Sequence, residues 1–136
     1  RGRHATASVA FTTAHIATLV SGARVVLRGG VPVDDPTARA IQGQHAETFA
    51  CVSQDARHLL FGAVDMLYWW QESGVSLVQL RYYLQQLGCW TAIELDGGGS
   101  STLDYRMPGS TQVVTVNHPA DGSERWIPDA LLVYRH

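Results

Sequence analysis

The spacing of apolar positions predicts an amphipathic helix over residues 76–87. Four leucines recur along one face at helical spacing, and glutamines fall away from that face. These leucines are Leu77, Leu80, Leu84 and Leu87. Ser76 and Gln79 have the spacing of a capping box, and Gly88 is typical of a left-handed helix end. We expect the leucine face to rest on a sheet that contains the apolar run 90–95.

Shorter apolar or alternating runs predict strands on both sides of this helix. The predicted strands are a run around Val9 and Phe11, then 23–27, 45–53, 58–64, 89–95, 103–107, 112–117 and 130–134. Residues 54–57 are expected to form the turn of a hairpin, and residues 34–44 a loop with at most one helical turn. Together these elements predict an α+β fold, in which one principal helix packs on a largely antiparallel mixed sheet.

The stretch after the apolar run is the main candidate site. Asp96 is followed by the three glycines Gly97–Gly99 and the three hydroxyl residues Ser100–Thr102. Consecutive glycines are unfavourable in a regular element, so they indicate a tight turn or a close backbone approach. Amides and hydroxyls in such a turn can hold an anion, with the carboxylate presented at the strand end. The alternative is that Asp96 binds the amides of its own loop.

Residues 95–102, Leu-Asp-Gly-Gly-Gly-Ser-Ser-Thr, resemble the signature of the phosphodiester glycosidase family. The preceding order of helix, Leu-Gly and strand is similar to that family, as are the segments 116–125 and 130–133. The resemblance covers roughly residues 25–133 and implies that residues 1–136 form a single domain of this kind. The family's Asn-Gly-Gly-Phe-Phe-like motif is not found in these residues, so we expect them to be the C-terminal portion of the family's domain.

The resemblance implies hydrolysis of the bond between a sugar's anomeric carbon and a phosphodiester oxygen, with no cofactor. An oxocarbenium-like transition state needs a nearby carboxylate, and histidine titrates near neutrality. The candidates for catalysis are Asp96, Asp65 and His118. The residues expected to bind substrate are Gly97, Gly98, Gly99, Ser100, Ser101, Thr48 and Arg125.

Two departures from the family leave a second function open. The family's Asp-Gly-Arg is here Asp65-Met66-Leu67, and its Pro-Arg-Thr is Ala46-Glu47-Thr48. A carboxylate in place of an arginine reverses the local charge, which is unfavourable for an anionic ligand. The intact signature over residues 96–102 nevertheless favours a hydrolase, whereas the missing arginines favour the other function. The alternative is a non-catalytic descendant that binds a glycan or assembles in an extracellular fibre or virion.

Composition limits the partners. The chain has 136 residues, 46% of them hydrophobic, which suits one globular domain. Only 16% are charged and the net charge is −2, so a nucleic acid partner is not expected. No apolar run is long enough for a transmembrane helix. The expected partners are a sugar phosphodiester or glycan, and further copies of the chain in an oligomer or larger assembly.

Cysteine and tryptophan residues each allow two interpretations. Cys51 and Cys89 lie in strand-like runs, where they fit either two buried free thiols or a disulfide joining two strands. A disulfide would imply an oxidising compartment, in keeping with an expected location outside the cell or in the secretory lumen.

Tyr68, Trp69 and Trp70 fit either a packing loop or an aromatic platform for a sugar ring. Neither Cys-x-x-Cys nor His-x-x-x-His spacing occurs, so no metal site is expected.

Overall fold

A computed structural model describes residues 20, 22–34, 43–66, 74–128 and 130–133. Its centre is a five-stranded sheet with an α-helix packed on it. The elements are β1 (Arg24–Arg28), β2 (Val31–Pro32), β3 (Glu47–Ser53), β4 (Leu59–Val64), α1 (Leu77–Gln86), β5 (Cys89–Glu94), β6 (Asp104–Tyr105) and β7 (Val114–Thr115). The predicted α+β class, with one helix on an antiparallel sheet, is confirmed for the described residues.

The strand order in the large sheet is β2-β1-β5-β3-β4, and neighbouring strands are antiparallel. β3 and β4 form the predicted hairpin, closed by a bond of 3.0 Å from the Ser53 amide to the His58 carbonyl. Because β4 and β5 both run antiparallel to β3, they end at the same edge of the sheet, where β3 begins. We call this edge the site edge.

The helix begins and ends where its sequence signals predict. The Ser76 hydroxyl accepts from the Gln79 amide at 3.3 Å, and the Gln79 side chain accepts from the Ser76 amide at 2.8 Å. Gly88 follows with a φ of +81°, a left-handed value that glycine adopts without strain. The side chains buried under the helix are Leu77, Leu80 and Leu84. Leu87 is 61% exposed, against the prediction, because it lies at the C-cap beyond the last turn that faces the sheet.

The two cysteines form a disulfide between β3 and β5. Cys51 and Cys89 have Cα atoms 5.6 Å apart, and both side chains are buried. The disulfide alternative is therefore the correct one. The bond lies within the apolar core between the helix and the sheet. The other core residues are Val26, Leu27, Phe49, Val75, Leu77, Leu80, Leu84 and Ala92.

Several predicted strands are shorter than expected or lacking. Within the predicted strands 103–107 and 112–117, the structure contains only β6 and β7, which have two residues each and pair with each other. The short strand β2 was not predicted. The predicted strand 130–134 is wrong over its described residues 130–133, which form no strand. There Leu132 is 80% exposed and Val133 77% exposed, and no strand among the described residues pairs with this segment. High β-propensity alone does not make a strand without a partner.

Some predictions lie outside the described residues. These concern Val9 and Phe11, the segment 35–42, and the aromatic residues Tyr68, Trp69 and Trp70. Within the described part of the chain, no helix has the length and apolar character needed to span a bilayer.

Candidate functional site

The glycine run forms a bend directly after β5, which we call the glycine bend (residues 96–101). Residues Gly98–Ser100 make one turn of 3₁₀ helix, and Gly98 has a φ of +61°. The Gly98 amide donates to the Ala46 carbonyl at 2.8 Å. A β-carbon on Gly97 would lie 2.8 Å from the same carbonyl oxygen, which is too close for any larger residue to fit without a shift. The predicted tight turn with a close backbone approach is confirmed.

Most amides of the glycine bend already donate hydrogen bonds within the protein. The acceptors are the Asp96 carboxylate and the carbonyls of Ala46, Gly97 and Gly98, and the donors are the amides of Gly97, Gly98, Ser100 and Ser101. The expected cradle of free amides is therefore largely occupied. Side chains on the bend are left as the main groups that can meet a ligand.

Asp96 is exposed at the entrance to the glycine bend. Its Oδ1 accepts from the Gly97 amide at 2.9 Å, so the carboxylate does bind an amide of its own loop, as in the alternative interpretation. That bond uses one lone pair on one oxygen. The second oxygen and the exposed face of the carboxylate stay open to a ligand.

Thr48 and Ser101 support the bend from below. The Thr48 hydroxyl donates to the Ser101 hydroxyl at 3.0 Å, and Ser101 is 1% exposed. The Leu95 amide donates to the Thr48 carbonyl at 2.8 Å. These bonds link the start of β3 to the bend and place both hydroxyl residues, which were predicted to bind substrate, within its supporting structure.

Arg125 reaches the glycine bend from the C-terminal segment. Its Nη2 donates to the Ser100 hydroxyl at 2.6 Å, and its Nη1 donates to Asp121 Oδ2 at 3.2 Å. The carboxylate of Asp121 itself lies against Gly99, where a β-carbon would overlap it. Arg125, which was predicted to bind substrate, therefore both contacts the glycine bend and forms an ion pair with Asp121. Asp121 was not predicted as a site residue, although it lies in the family-like segment 116–125.

Asp65 and His118 form a pair at the end of β4. The His118 amide donates to both carboxylate oxygens at 3.0 Å, and His118 Nδ1 lies 3.0 Å from Asp65 Oδ2. A carboxylate only accepts, so it orients the imidazole with the proton on Nδ1 and leaves Nε2 as an acceptor. The His118 side chain is 73% exposed, so Nε2 is accessible.

Asn117 joins this pair to the glycine bend. Its Nδ2 donates to the Ser101 carbonyl at 2.8 Å, and its Oδ1 accepts from the Leu103 amide at 2.7 Å. His118 is the next residue, so the imidazole is carried on a segment tied to the bend. All the predicted site residues thus converge on the site edge of the sheet.

Beneath the bend lie two buried carboxyl groups that the sequence did not indicate as a pair. Glu47 is 5% exposed and Glu94 is 8% exposed, and Arg24 Nε lies 2.8 Å from Glu94 Oε2. Burial is the main cause that raises the pKa of Glu47, the neighbouring Glu94 charge adds to it, and Arg24 opposes it; the result is a pKa of about 7. The signal that could have indicated the two carboxyl groups is the presence of one acid within each of two apolar strands.

A surface cavity of about 450 Å³ lies at the opposite end of the sheet. It is lined by Ser53, Gln54, Asp55, His58 and Gly88. None of the predicted site residues is among them. The candidate site is therefore defined by the convergence of side chains at the site edge.

The fold and this set of residues define an antiparallel α+β domain with a glycine bend flanked by carboxylate and arginine side chains. The chain matches the phosphodiester glycosidase family over residues 4–134, and it belongs to that family. No curated protein matches it. One similar solved structure is that of a hypothetical protein from Synechocystis, with 24% identity and a TM-score of 0.48. The match covers 57% of this chain and 15% of that one, so the chain corresponds to a small part of that protein.

Proposed function

We propose that this domain binds a sugar-1-phosphodiester at the glycine bend and hydrolyses the bond from the anomeric carbon to the phosphodiester oxygen. The observation that carries the proposal is the bond of 2.6 Å from Arg125 to Ser100, which sets a permanent cation on the bend. The Arg125 side chain is half-exposed, so a phosphate oxygen can reach its remaining donors. Charge-assisted bonds from a guanidinium suit this ligand.

Asp96 is the group we assign to the anomeric carbon. Phosphate is a good leaving group, so the reaction depends less on acid assistance than on stabilising positive charge at the sugar. An exposed carboxylate beside the bound phosphate can stabilise the oxocarbenium-like transition state, as a nucleophile or by activating a water molecule. Its bond to the Gly97 amide holds the carboxylate in place for this role.

The Asp65–His118 pair is assigned to proton transfer. The carboxylate orients the imidazole, and the accessible Nε2 can take a proton from an attacking water molecule. This arrangement supports the assignment of both residues, which are 53 positions apart in the chain.

The test compares the native chain with Asp96→Asn. The probe is the methyl phosphodiester of N-acetylglucosamine 1-phosphate, and sugar release and binding are measured separately. We expect native turnover, and loss of turnover with binding retained in Asp96→Asn. Asp55→Asn, an exposed acid at the opposite end of the sheet, serves as the control and should match the native chain. Equal turnover by native chain and Asp96→Asn would remove Asp96 from the mechanism.

A second candidate function is a non-catalytic domain that binds a glycan or takes part in an extracellular assembly. It is favoured by large apolar side chains that are exposed in the C-terminal part of the chain. These are Met107, Val113, Trp126, Leu132 and Val133. Exposed large apolar side chains can supply the contacts of an interaction surface. Probe binding without turnover, together with concentration-dependent association in light scattering, would select this function.

We infer an extracellular or secretory-lumen location from the Cys51–Cys89 disulfide. Such bonds persist in oxidising compartments and are rare where thiols are kept reduced. Alkylation of the protein isolated from its source cells should leave both cysteines unmodified before reduction. Complete alkylation before reduction would contradict this location.

A further inference from the structure

Glu47 and Glu94 project from neighbouring strands on the core face of the sheet. Phe49 on β3 lies opposite Glu94 on β5, and Glu47 is two residues earlier on the same face. Both carboxyl groups are almost completely buried, and burial followed by the neighbouring Glu94 charge raises the pKa of Glu47. Two ionised carboxylates held side by side in a buried place repel each other, so this arrangement favours a proton on one of them.

This carboxyl pair lies directly under the glycine bend. A β-carbon on Gly97 would stand 3.4 Å from Glu47 Oε2. The residues on either side of Glu47 hold the bend through their backbone carbonyls, since Ala46 accepts from Gly98 and Thr48 accepts from Leu95. Any change in charge or position at Glu47 is therefore transmitted to the bend over a short distance.

The residues that surround Glu47 come from β1, β4 and β5. Arg24 on β1 and Glu94 on β5 are the charged side chains that shift the pKa of Glu47. β4 places the uncharged Val64 opposite Glu47, and the next residue, Asp65, is paired with His118. With one proton on the pair, Arg24 balances the remaining carboxylate and the group is neutral. Without it, the group carries one net negative charge in a poorly solvated place.

We propose that Glu47 and Glu94 hold one proton between them beneath the glycine bend, and that its release weakens the binding of an anionic ligand at the bend. Glu47 is in this role a positioning residue that acts through the bend. This inference rests on the proposed function for its ligand, a sugar-1-phosphodiester. It explains how a family site can carry an acid at the position of an expected arginine: the acid is neutral in mildly acidic solution.

The affinity of such a ligand is expected to depend on pH in a defined way. Below the pKa of Glu47, which is about 7, the bend meets a neutral group, and above it a negative one. One unit charge acting over such a distance in a surface environment changes affinity by roughly three- to tenfold. A neutral sugar ligand should show no comparable change.

The test measures affinity by calorimetry between pH 5.5 and pH 8.5. The probe is the methyl phosphodiester of N-acetylglucosamine 1-phosphate, and the neutral methyl glycoside of N-acetylglucosamine is the comparison. We expect the native affinity for the diester to fall roughly three- to tenfold with a midpoint near pH 7, and Glu47→Gln to bind without this step. Asp55→Asn should keep the native step. If the affinity of the native chain for the diester does not change with pH, or if the change persists in Glu47→Gln, the inference is overturned.

A second measurement keeps the outcome clear if no ligand binds. Carboxyl carbon shifts of labelled glutamate residues report the titration of the pair without ligand, in the native chain and in Glu94→Gln. One glutamate titrating near pH 7 in the native chain and shifting downward in Glu94→Gln would support the shared proton. Titration of all glutamates below pH 5 would refute it. Absence of probe binding at every pH would instead contradict the proposed function.

Discussion

At the scale of single residues, the site depends on how a few charged side chains are held. Arg125 is fixed by Ser100 and Asp121, whereas Glu47 lies buried beside Glu94. The first arrangement leaves a cation accessible above the glycine bend. The second arrangement buries a carboxyl group below the glycine bend, away from solvent. The charge that a ligand meets at the bend is the balance of the two.

We predict that Arg125→Ala lowers the affinity for the phosphodiester probe by roughly ten- to a hundredfold. The loss follows from a charge-assisted hydrogen bond, which contributes about 1.5–3 kcal/mol. Arg125→Lys should recover part of it, because an ammonium group supplies charge without the planar fork. Arg57→Ala, in the distant hairpin turn, is the control for net charge. An equal loss of affinity for the neutral glycoside would show that the effect is not directed at phosphate.

A further prediction at this scale concerns stability and pH. The pKa of Glu47 is raised from 4.5 to about 7 in the folded protein. Between these two values the unfolded chain loses a proton that the folded chain keeps. The free energy of unfolding should therefore fall as pH rises from about 4.5 to 7 and level off above that. In urea unfolding series, Glu47→Gln should lack this decline, and an unchanged decline would assign it to another group.

At the scale of elements, short-range signals account for the helix and the first hairpin. The capping box of Ser76 and Gln79, the leucine spacing and Gly88 all act within a few residues of one another, so the sequence could predict them. The same holds for the glycine bend, where Gly98 needs a left-handed backbone. The segment 130–133 shows the limit of such signals, since it has strand-forming residues but pairs with none of the described strands.

We predict that Ser76→Ala lowers the free energy of unfolding by about 1 kcal/mol. The substitution removes a side-chain acceptor from the Gln79 amide at the first turn of α1. Gln86→Ala lies on the same helix at an exposed position away from the cap and should change stability by less than about 0.5 kcal/mol. Urea midpoints measured at equal m-values would compare the two. Similar losses in both variants would exclude a specific capping effect.

At the scale of the whole molecule, the sheet and its disulfide bring the site together. β4 and β5 end at the site edge, so Asp65 and Asp96 lie there although β3 separates their strands. The disulfide joins β3 to β5 and closes a loop of 38 residues. It therefore holds together the two strands that support the glycine bend.

We predict that the double substitution Cys51→Ala and Cys89→Ala lowers the free energy of unfolding by roughly 3–4 kcal/mol, the value expected for a loop of this length. Thermal or urea unfolding of the native chain with and without a reductant provides the comparison. The reductant should destabilise the native chain and leave the double variant unchanged. No effect of the reductant on the native chain, with reduction verified by thiol titration, would contradict the prediction.

The sequence by itself determined the helix with its caps, the β3–β4 hairpin and the glycine bend. Each of these depends on backbone preferences and side-chain spacing over a few positions, which one chain shows directly. Only the tertiary structure decided that Cys51 pairs with Cys89, that Asp65 pairs with His118, and that Glu47 meets Glu94 under the bend. These pairings join distant positions, and they follow from the order and register of the strands, which local patterns do not specify.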